Sequence, residues 1–148
     1  MDISKKIILE ACIEKQNHLI ENFQTRLETM KSDVFEYDQS PSQTDNRAAG
    51  KIELLNAVGK ELDFALREME ILQMINPDKE SSIVEPGAIV ITDKMIFFIC
   101  VSVEQIEVEG NSIFGISTKA PIYSAMRGLS KKSDFQFNET AYSIKEVR

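Results

Sequence analysis

The sequence predicts an α+β fold in which a pair of long helices precedes a small β-rich domain. Between residues 3 and 75, apolar residues recur every three or four positions, which is the spacing of one helix face. A polar stretch with one proline, residues 32–43, interrupts this pattern once. From Glu85 onward, short β-branched and aromatic runs alternate with Gly, Asp and Asn, which indicates strands and turns. The chain is therefore divided into two predicted domains, residues 1–77 and residues 78–148.

The first helix carries an apolar stripe, and no proline interrupts the chain before residue 41. Acidic and basic residues occupy the positions between the members of the stripe, as expected for a helix face in water. The stripe consists of Ile8, Cys12, Leu19, Phe23, Leu27, Met30 and Val34.

The second helix carries a seam of apolar residues in alternating steps of three and four, which is typical of a coiled coil. Thr44 or Asp45 is predicted to cap its start, and the proline after Asn76 ends it. Because two helices of about 30 residues joined by a short connection fold back on each other, residues 1–77 are predicted to form an antiparallel coiled-coil hairpin about 45 Å long. A glycine in the seam indicates close helix packing. The seam consists of Ala48, Ile52, Leu55, Gly59, Leu62, Leu66, Met69 and Leu72.

Residues 78–148 are predicted to form an antiparallel sheet with one helix packed on it. The run over residues 95–103 is apolar on both faces, which predicts a central strand covered on both sides. Residues 120–127 are predicted to form a short helix, with Pro121 in its first turn and Gly128 at its end. The other strands are predicted at residues 88–92, 112–117, 135–137 and 141–147, with turns at 109–111 and 138–139, in the order β-β-β-α-β-β.

Charge and cysteine content exclude several classes of function. The formal net charge is −7 and the isoelectric point is about 4.8. A primary nucleic-acid partner is not expected, because phosphate binding needs clustered Lys and Arg. Cys12 and Cys100 lack the spacing of a metal site or a disulfide framework, so we expect buried thiols in a reducing compartment. No apolar run approaches the roughly 20 residues that span a bilayer, and a signal peptide is not evident, so a cytoplasmic protein without a membrane partner is predicted.

A stretch near the C-terminus combines a strand end, a short helix and a turn in a distinctive order. An Ile-Ser pair at residues 116–117 leads into Ala120-Pro121-Ile122, then Ala125-Met126, Gly128 and Asp134, before a closing run over residues 135–147. This pattern resembles the C-terminal signature of the Gre-type (GreA/GreB) transcription elongation factors, in which an Ile-Ser strand end runs into Ser-Pro-Ile, a short helix, a glycine and an aspartate. Ala120 stands in place of the family's serine, and one extra residue precedes Asp134. With the helical hairpin, the resemblance covers nearly the whole chain.

The resemblance implies an antiparallel coiled coil, an FKBP-like C-terminal domain and bacterial RNA polymerase as the partner. In the family, the C-terminal domain binds the rim of the polymerase's secondary channel and the coiled coil enters the channel. Acidic residues at the tip help to hold a second Mg²⁺ at the polymerase active site, which promotes cleavage of backtracked RNA. The chain is therefore expected to be an accessory factor and not an enzyme, with no permanent cofactor and at most a Mg²⁺ shared with RNA polymerase. The candidate polymerase-binding residues are Pro121, Ile122, Tyr123, Ser124 and Arg127.

The tip of the hairpin decides whether the chain can support cleavage. Family members carry Gly-Asp, then Glu three residues later, at the start of the second helix. Counting back from the end of that helix places Asp45 in the Asp position and Ala48 where the Glu belongs. Acids near a helix N-terminus are commonly capping residues, and Asp45 is expected to have that role whatever else it does. A rival alignment uses Asp33 and Glu36, which restores the Asp-x-x-Glu spacing but lies before the proline. Asp38 is a further candidate among these tip acids.

A second hypothesis belongs to a different class of function. The same architecture would serve as a self-association or scaffold element without polymerase contact, through an apolar strip along Leu55, Leu62 and Leu66. Both a monomer and a weak homodimer are compatible with the sequence. Peptidyl-prolyl isomerase activity is not expected, because a fold does not carry a function and no aromatic-lined pocket is evident. The leading hypothesis is a polymerase-binding regulator with weak or absent stimulation of cleavage.

Overall fold

The computed structural model of the protein describes the backbone of residues 3–37 and 45–148 and the side chains of residues 3–33 and 49–148. No helix among them combines the length and apolar character that crossing a membrane requires. The order of the elements confirms the predicted α+β fold, with two long helices ahead of a mostly antiparallel sheet and one short helix. The elements are α1 (Lys5–Tyr37), α2 (Asp45–Met74), β1 (Ile89–Thr92), β2 (Ile96–Cys100), β3 (Val103–Val108), β4 (Asn111–Ser117), α3 (Pro121–Met126), β5 (Asp134–Phe137) and β6 (Thr140–Val147).

Contacts between residues group the chain into two compact units. One unit contains Met1–Lys15 and Glu70–Arg148, and the other contains Gln16–Met69. The first part of α1 and the last part of α2 therefore belong to the unit that holds the sheet. The predicted domains, residues 1–77 and 78–148, keep each helix whole instead, and that division remains a prediction.

Within the described residues, six strands form one sheet in the order β3-β4-β2-β1-β6-β5. Neighbouring strands in this sheet are antiparallel except β2 and β4, which run parallel. The sheet thus has one strand more than the five predicted, because the predicted run over residues 95–103 ends at β2 and a separate strand, β3, begins at Val103. The sequence of β3 includes Glu104, Gln105 and Glu107, residue types with little preference for strands, so its pattern was not recognised.

Two of the predicted turns are hairpin loops with left-handed backbone. Glu109 and Gly110, which join β3 to β4, have φ of 51° and 81°. Asn138 and Glu139, which join β5 to β6, have φ of 49° and 64°. Positive φ at both central residues is what a type I′ turn requires, and the twist of this turn suits an antiparallel pair of strands. Both turn predictions are confirmed.

The sheet is covered on both faces, as predicted for its central strand. Phe98 of β2 packs in one apolar cluster with Cys12 of α1 and Leu72 of α2. The neighbouring residue, Phe97, packs in a second cluster with Met126 of α3. Because successive side chains of a strand point to opposite faces, the two clusters cover opposite faces of the sheet. Both long helices and α3 thus contribute to the core of the unit that holds the sheet.

The link from β2 to β3 crosses over β4. Phe98 of β2 and Val103 of β3 both pair with Gly115, from opposite sides of β4. The residues between these strands, Val101 and Ser102, must therefore pass over β4 to change sides. A Cβ atom at Gly115 would lie 2.8 Å from the Val101 carbonyl oxygen and 2.7 Å from Val103 Cβ. Glycine at this position is what leaves room for the crossing.

The helices α1 and α2 run antiparallel within the unit Gln16–Met69. Gln16 of α1 bonds to Ala65 of α2, and Leu27 of α1 lines a groove with Leu55 of α2. As residue numbers increase along α1, the numbers of the neighbouring residues on α2 decrease, as predicted for a hairpin. Gly59 does not mark close packing, contrary to expectation, because a Cβ atom there would meet no atom within 4 Å.

The buried seam between the helices lies one position away from the predicted one in places. Ile20 and Ala65 are buried, whereas Leu19 and Leu66, predicted for the seam, are 40% and 41% exposed. The difference arises at Gln16, because this polar residue is buried and interrupts the run of apolar residues at steps of four on α1. With Gln16 included, the buried positions of α1 follow the helical period.

Candidate functional site

The segment with the sequence signature forms a short helix whose ends are defined by its residue types. Ala120 has extended backbone, and Pro121 follows as the first helical residue, where its missing N–H costs no hydrogen bond. The N–H of Tyr123 donates to the Ala120 carbonyl at 3.0 Å, and the N–H of Arg127 donates to the Tyr123 carbonyl at 2.8 Å. Gly128 has a φ of 77°, which glycine adopts without strain, and it ends the helix. The predicted start and stop of α3 are confirmed.

The chain just before β1 holds α3 in position. The N–H of Val84 donates to the Leu129 carbonyl at 2.8 Å, and the N–H of Gly128 donates to the Val84 carbonyl at 2.9 Å. Val84 is 1% exposed and shares a cluster with Met126 of α3. The C-terminal end of α3 is therefore fixed by backbone hydrogen bonds to the segment just before β1.

Aromatic residues of three strands share that cluster with α3. The rings of Phe135 and Tyr142 stack with centroids 4.9 Å apart, and the rings of Phe97 and Tyr142 form a T-shaped pair with centroids 6.0 Å apart. Tyr123 of α3 is 8% exposed and belongs to the same cluster. The ring of Tyr123 thus positions α3 on the sheet. The sequence placed Tyr123 among the contact residues because spacing alone does not show which face of so short a helix is buried.

The other predicted contact residues are more accessible. Pro121, Ser124 and Arg127 are exposed, and Ile122 is half-buried. Residues three apart on a helical turn lie along one side, so the exposed residues form a single stripe. We call Pro121, Ser124 and Arg127 the α3 surface. It offers a rigid apolar ring, a hydroxyl and a guanidinium group to a partner.

The tip acids are described only in part. Asp33, close to the end of α1, is exposed. Glu36 belongs to α1 and Asp45 begins α2, but their side chains lie outside the described residues, and Asp38 lies outside them entirely. Their convergence at a tip therefore stays a prediction. In the part of the chain that is described, no three His, Cys, Asp or Glu side chains come together as ligands of one metal ion would.

A buried polar contact joins α1 to α2 in the unit Gln16–Met69. Gln16 is 4% exposed and Glu68 is 9% exposed. The Nε2 of Gln16 donates to the Ala65 carbonyl at 2.9 Å and to Glu68 Oε1 at 3.4 Å. Sliding one helix along the other would leave the buried amide unpaired, which is costly. The contact thus favours one register of the helix pair, as single polar residues do in coiled coils.

Stability of the helix pair is expected to depend on pH through Glu68. Burial raises the pKa of Glu68, and the hydrogen bond from Gln16 opposes this by a smaller amount. The folded protein therefore holds this proton to higher pH than the unfolded chain, so the contribution of Glu68 to stability falls as pH rises through its folded pKa. Glu68→Gln is expected to raise the free energy of unfolding at pH 7 and to change it less at pH 4, as measured by urea denaturation.

The matched control for this prediction is Glu61→Gln, which removes the same charge from an exposed position of α2. It should not reproduce the difference between the two pH values. A gain of equal size at both pH values, or a loss at pH 7, would contradict the assignment of the effect to burial of the carboxylate.

Comparison with known proteins gives a distant likeness of fold. No family model matches the sequence, and no curated protein matches it. The transcription factor Gfh1 is similar over 93% of this chain and 93% of its own, with 13% identity and a TM-score of 0.37. GreA factor homolog 1 (Gfh1) of Thermus thermophilus is similar over 93% of this chain and 95% of its own, with 14% identity and a TM-score of 0.35. Thermus aquaticus Gfh1 is similar over 93% and 94%, with 14% identity and a TM-score of 0.33. Values this low say nothing about activity or partners.

Proposed function

We propose that this protein is a Gre-like transcription elongation regulator that binds bacterial RNA polymerase and places its helical hairpin in the secondary channel. The observation that carries the proposal is the signature between Ala120 and Gly128. These residues resemble the family pattern in sequence, with Ala120 in place of its serine. They form a short helix with proline at its first position, and a glycine with left-handed backbone follows its end. The α3 surface then becomes the candidate contact with the rim of the channel.

The charges of the chain favour docking on a protein surface over binding to nucleic acid. Residues 1–77 hold 14 acidic and nine basic residues, so this part of the chain is repelled by phosphate backbones. Arg127 of the α3 surface is an exposed cation, and a guanidinium group pairs well with a carboxylate on a partner protein. An acidic hairpin and an exposed basic contact residue suit a factor that approaches the polymerase through protein contacts.

The proposed regulator acts as an accessory to the polymerase, with no permanently bound cofactor. In the register that keeps Asp45 at the tip, Ala48 replaces the second acid of the family pattern. A tip with fewer carboxylates contributes less affinity for a divalent cation. The protein therefore regulates elongation by occupying the channel, with weak or absent stimulation of RNA cleavage.

Binding to core RNA polymerase tests the proposal. The tagged full chain is expected to retain core polymerase in a pull-down at low salt, and Arg127→Ala is expected to weaken this binding by about tenfold, as truncation of an interface arginine commonly does. Lys145→Ala, which removes a cation from an exposed position of β6, serves as the control and should bind like the original chain. Absence of binding by the folded protein at low salt would overturn the proposal.

Self-association is the second candidate function, because apolar side chains of the helix pair are exposed. Phe64 and Leu19 are 55% and 40% exposed, and both line a groove with Phe23. The predicted strip is only partly exposed, since Leu55 and Leu62 are half-buried. Sedimentation velocity over a concentration series separates the candidates. A stable dimer that Phe64→Gln dissociates, with no polymerase binding, would favour the scaffold.

A further inference from the structure

A groove with apolar walls lies beside the end of α2. Ile71 and Met74 are three residues apart on this helix, so they lie along the same side, and they are 49% and 84% exposed. Ile75 packs against Gly87, since a Cβ atom at Gly87 would lie 3.6 Å from Ile75 Cγ2. These four residues and Pro86 line a groove of about 360 Å³, which we call the α2 groove. Its lining belongs entirely to the unit that holds the sheet, and it shares no residue with the α3 surface.

The charged residues that line the α2 groove are both lysines. The ammonium group of Lys5, at the start of α1, donates a hydrogen bond to the Lys79 carbonyl at 2.7 Å. Lys79 Nζ lies 3.7 Å from Glu85 Oε1, to which Ser81 Oγ donates a hydrogen bond at 2.9 Å. Among the described residues that line the groove, none is Asp or Glu. The groove therefore combines apolar walls with two cations, in a chain whose net charge is −7.

The charge of Lys5 is only partly compensated by its neighbours. Burial is the largest influence and lowers the pKa of Lys5, and the second cation, Lys79, lowers it further. Glu85 and Glu80 raise this pKa, but the net shift is downward, which means that the surroundings disfavour the charged form. Lys5 is also the first residue of α1, whose first turn contains no acidic residue, so the helix dipole does not stabilise the cation. An anion in the groove offsets both effects.

The position of the Lys5 ammonium is fixed by the turn that ends α2. The N–H of Asp78 donates to Asn76 Oδ1 at 3.0 Å, and the N–H of Lys79 donates to the Asn76 carbonyl at 3.2 Å. This turn holds the Lys79 carbonyl, and with it the ammonium group that bonds to it, beside the apolar walls. A site that is formed before binding loses less conformational entropy when a ligand arrives.

We propose that the α2 groove binds a short segment of a partner protein in which a bulky apolar side chain is next to an Asp or Glu. The apolar side chain covers Ile71 and Met74, and the carboxylate accepts a hydrogen bond from Lys5. Sites for small molecules bury most of the ligand surface, whereas a groove with so exposed a wall covers its ligand on one side. This geometry suits a segment that the rest of a partner holds in place. The methionine side chain is flexible, so it adapts to the shape of an apolar group.

An NMR titration of the isotope-labelled full chain with short synthetic peptides tests the proposal. The first peptide pool carries Asp or Glu between residues drawn from Leu, Ile, Phe and Met. A second pool replaces the acid with Asn or Gln, and a third keeps the acid but replaces the apolar residues with Ser. We expect the first pool alone, at millimolar concentrations, to shift the amide signals of Lys5, Met74 and Gly87. RNA polymerase is absent, so the result does not depend on the proposed function.

Two pairs of variants assign the binding to the groove. Lys5→Gln is expected to weaken binding of the first pool about tenfold, because a hydrogen bond to a charged group is lost. Lys6→Gln removes an exposed lysine of the same helical turn that does not line the groove, and it should leave binding unchanged. Met74→Gln is expected to weaken binding about three- to tenfold through lost apolar contact. Its control is Leu54→Gln, at a position of α2 that is 56% exposed and outside the groove.

Several outcomes would overturn the proposal. The first pool might shift no signal of the groove, or the Asn and Gln pool could bind equally well, which would leave the carboxylate without a role. Binding of octanoate without binding of any peptide would assign the groove to a small amphipathic anion. Signals of Met74 that move with protein concentration in the absence of peptide would assign it to a second copy of the chain. The three pools decide the matter on the original chain, so a variant that fails to fold leaves the test intact.

Discussion

Gly115→Ala is expected to lower the free energy of unfolding by about 1–3 kcal/mol. The added methyl group would lie 2.8 Å from the Val101 carbonyl oxygen and 2.7 Å from Val103 Cβ. The first of these atoms is backbone and the second is fixed to it, so neither can rotate away. Relief requires the link between β2 and β3 to lift from β4, which strains the pairing of Gly115 with both neighbouring strands. Urea denaturation followed by circular dichroism measures the loss.

The same substitution at another glycine serves as the control. Gly59 lies in the interior of α2, and a Cβ atom there would meet no atom within 4 Å. Gly59→Ala is therefore expected to raise the free energy of unfolding by about 1 kcal/mol, because alanine loses less backbone entropy than glycine in a helix. Equal effects of the two substitutions would contradict the crossing as the reason for glycine at position 115.

Local sequence patterns were sufficient to predict the elements whose conformation depends on local residue types. The helical period predicted α1 and α2, proline and glycine marked the ends of α3, and the residues at 109–110 and 138–139 predicted the two hairpin loops. In each case the backbone preference of a residue decides the conformation at its own position or one turn away. Such preferences need no knowledge of what packs against the segment.

The sheet topology depends on contacts that no local pattern shows. The parallel pairing of β2 with β4 follows from a link of two residues that crosses β4, and that crossing depends on Gly115, which lies far along the chain. Glycine in a strand indicates close approach of another segment, but it does not say which segment approaches. β3 lies at the edge of the sheet, and its Glu104 and Glu107 are exposed. Its sequence therefore lacks the regular alternation of apolar and polar residues that predicts a strand.

Only part of the candidate site could be predicted, because the burial of its residues also depends on contacts between distant segments. The signature placed the contact residues on α3, and the structure leaves Pro121, Ser124 and Arg127 exposed while it buries Tyr123. Which side of a helix faces the core depends on the strands beneath it, here β5 and β6 with their stacked rings. Cys12 of α1 and Cys100 of β2 share one apolar cluster, which joins a helix to a strand through tertiary packing that no local pattern shows.

Ala48→Glu is expected to raise the rate at which backtracked RNA is cleaved by at least about tenfold over the original chain. This magnitude follows from metal sites in general, where loss of a residue that supports the bound metal commonly lowers activity by about 10–100-fold. The prediction depends on the proposed function. The register that keeps Asp45 places Ala48 where the family has its second acid, and Arg47 adds a positive charge beside it. A second carboxylate increases the affinity of the tip for a hard divalent cation. The measurement is the rate of RNA shortening in a stalled elongation complex with Mg²⁺ present.

Ala48→Gln is the matched control, because it adds a side chain of the same length without the charge. It should leave cleavage at the level of the original chain, and Asp45→Ala in the Ala48→Glu background should remove the gain. Pull-down with core polymerase must give equal binding for all variants, so that a change in rate reflects the tip and not docking. If the original chain already stimulates strong RNA cleavage and Asp45→Ala abolishes this stimulation, the prediction of weak stimulation is wrong. The missing acid is then supplied from the first half of the hairpin, most directly by Asp38 or Glu36, because an apolar Ala48 has no oxygen with which to bind a cation.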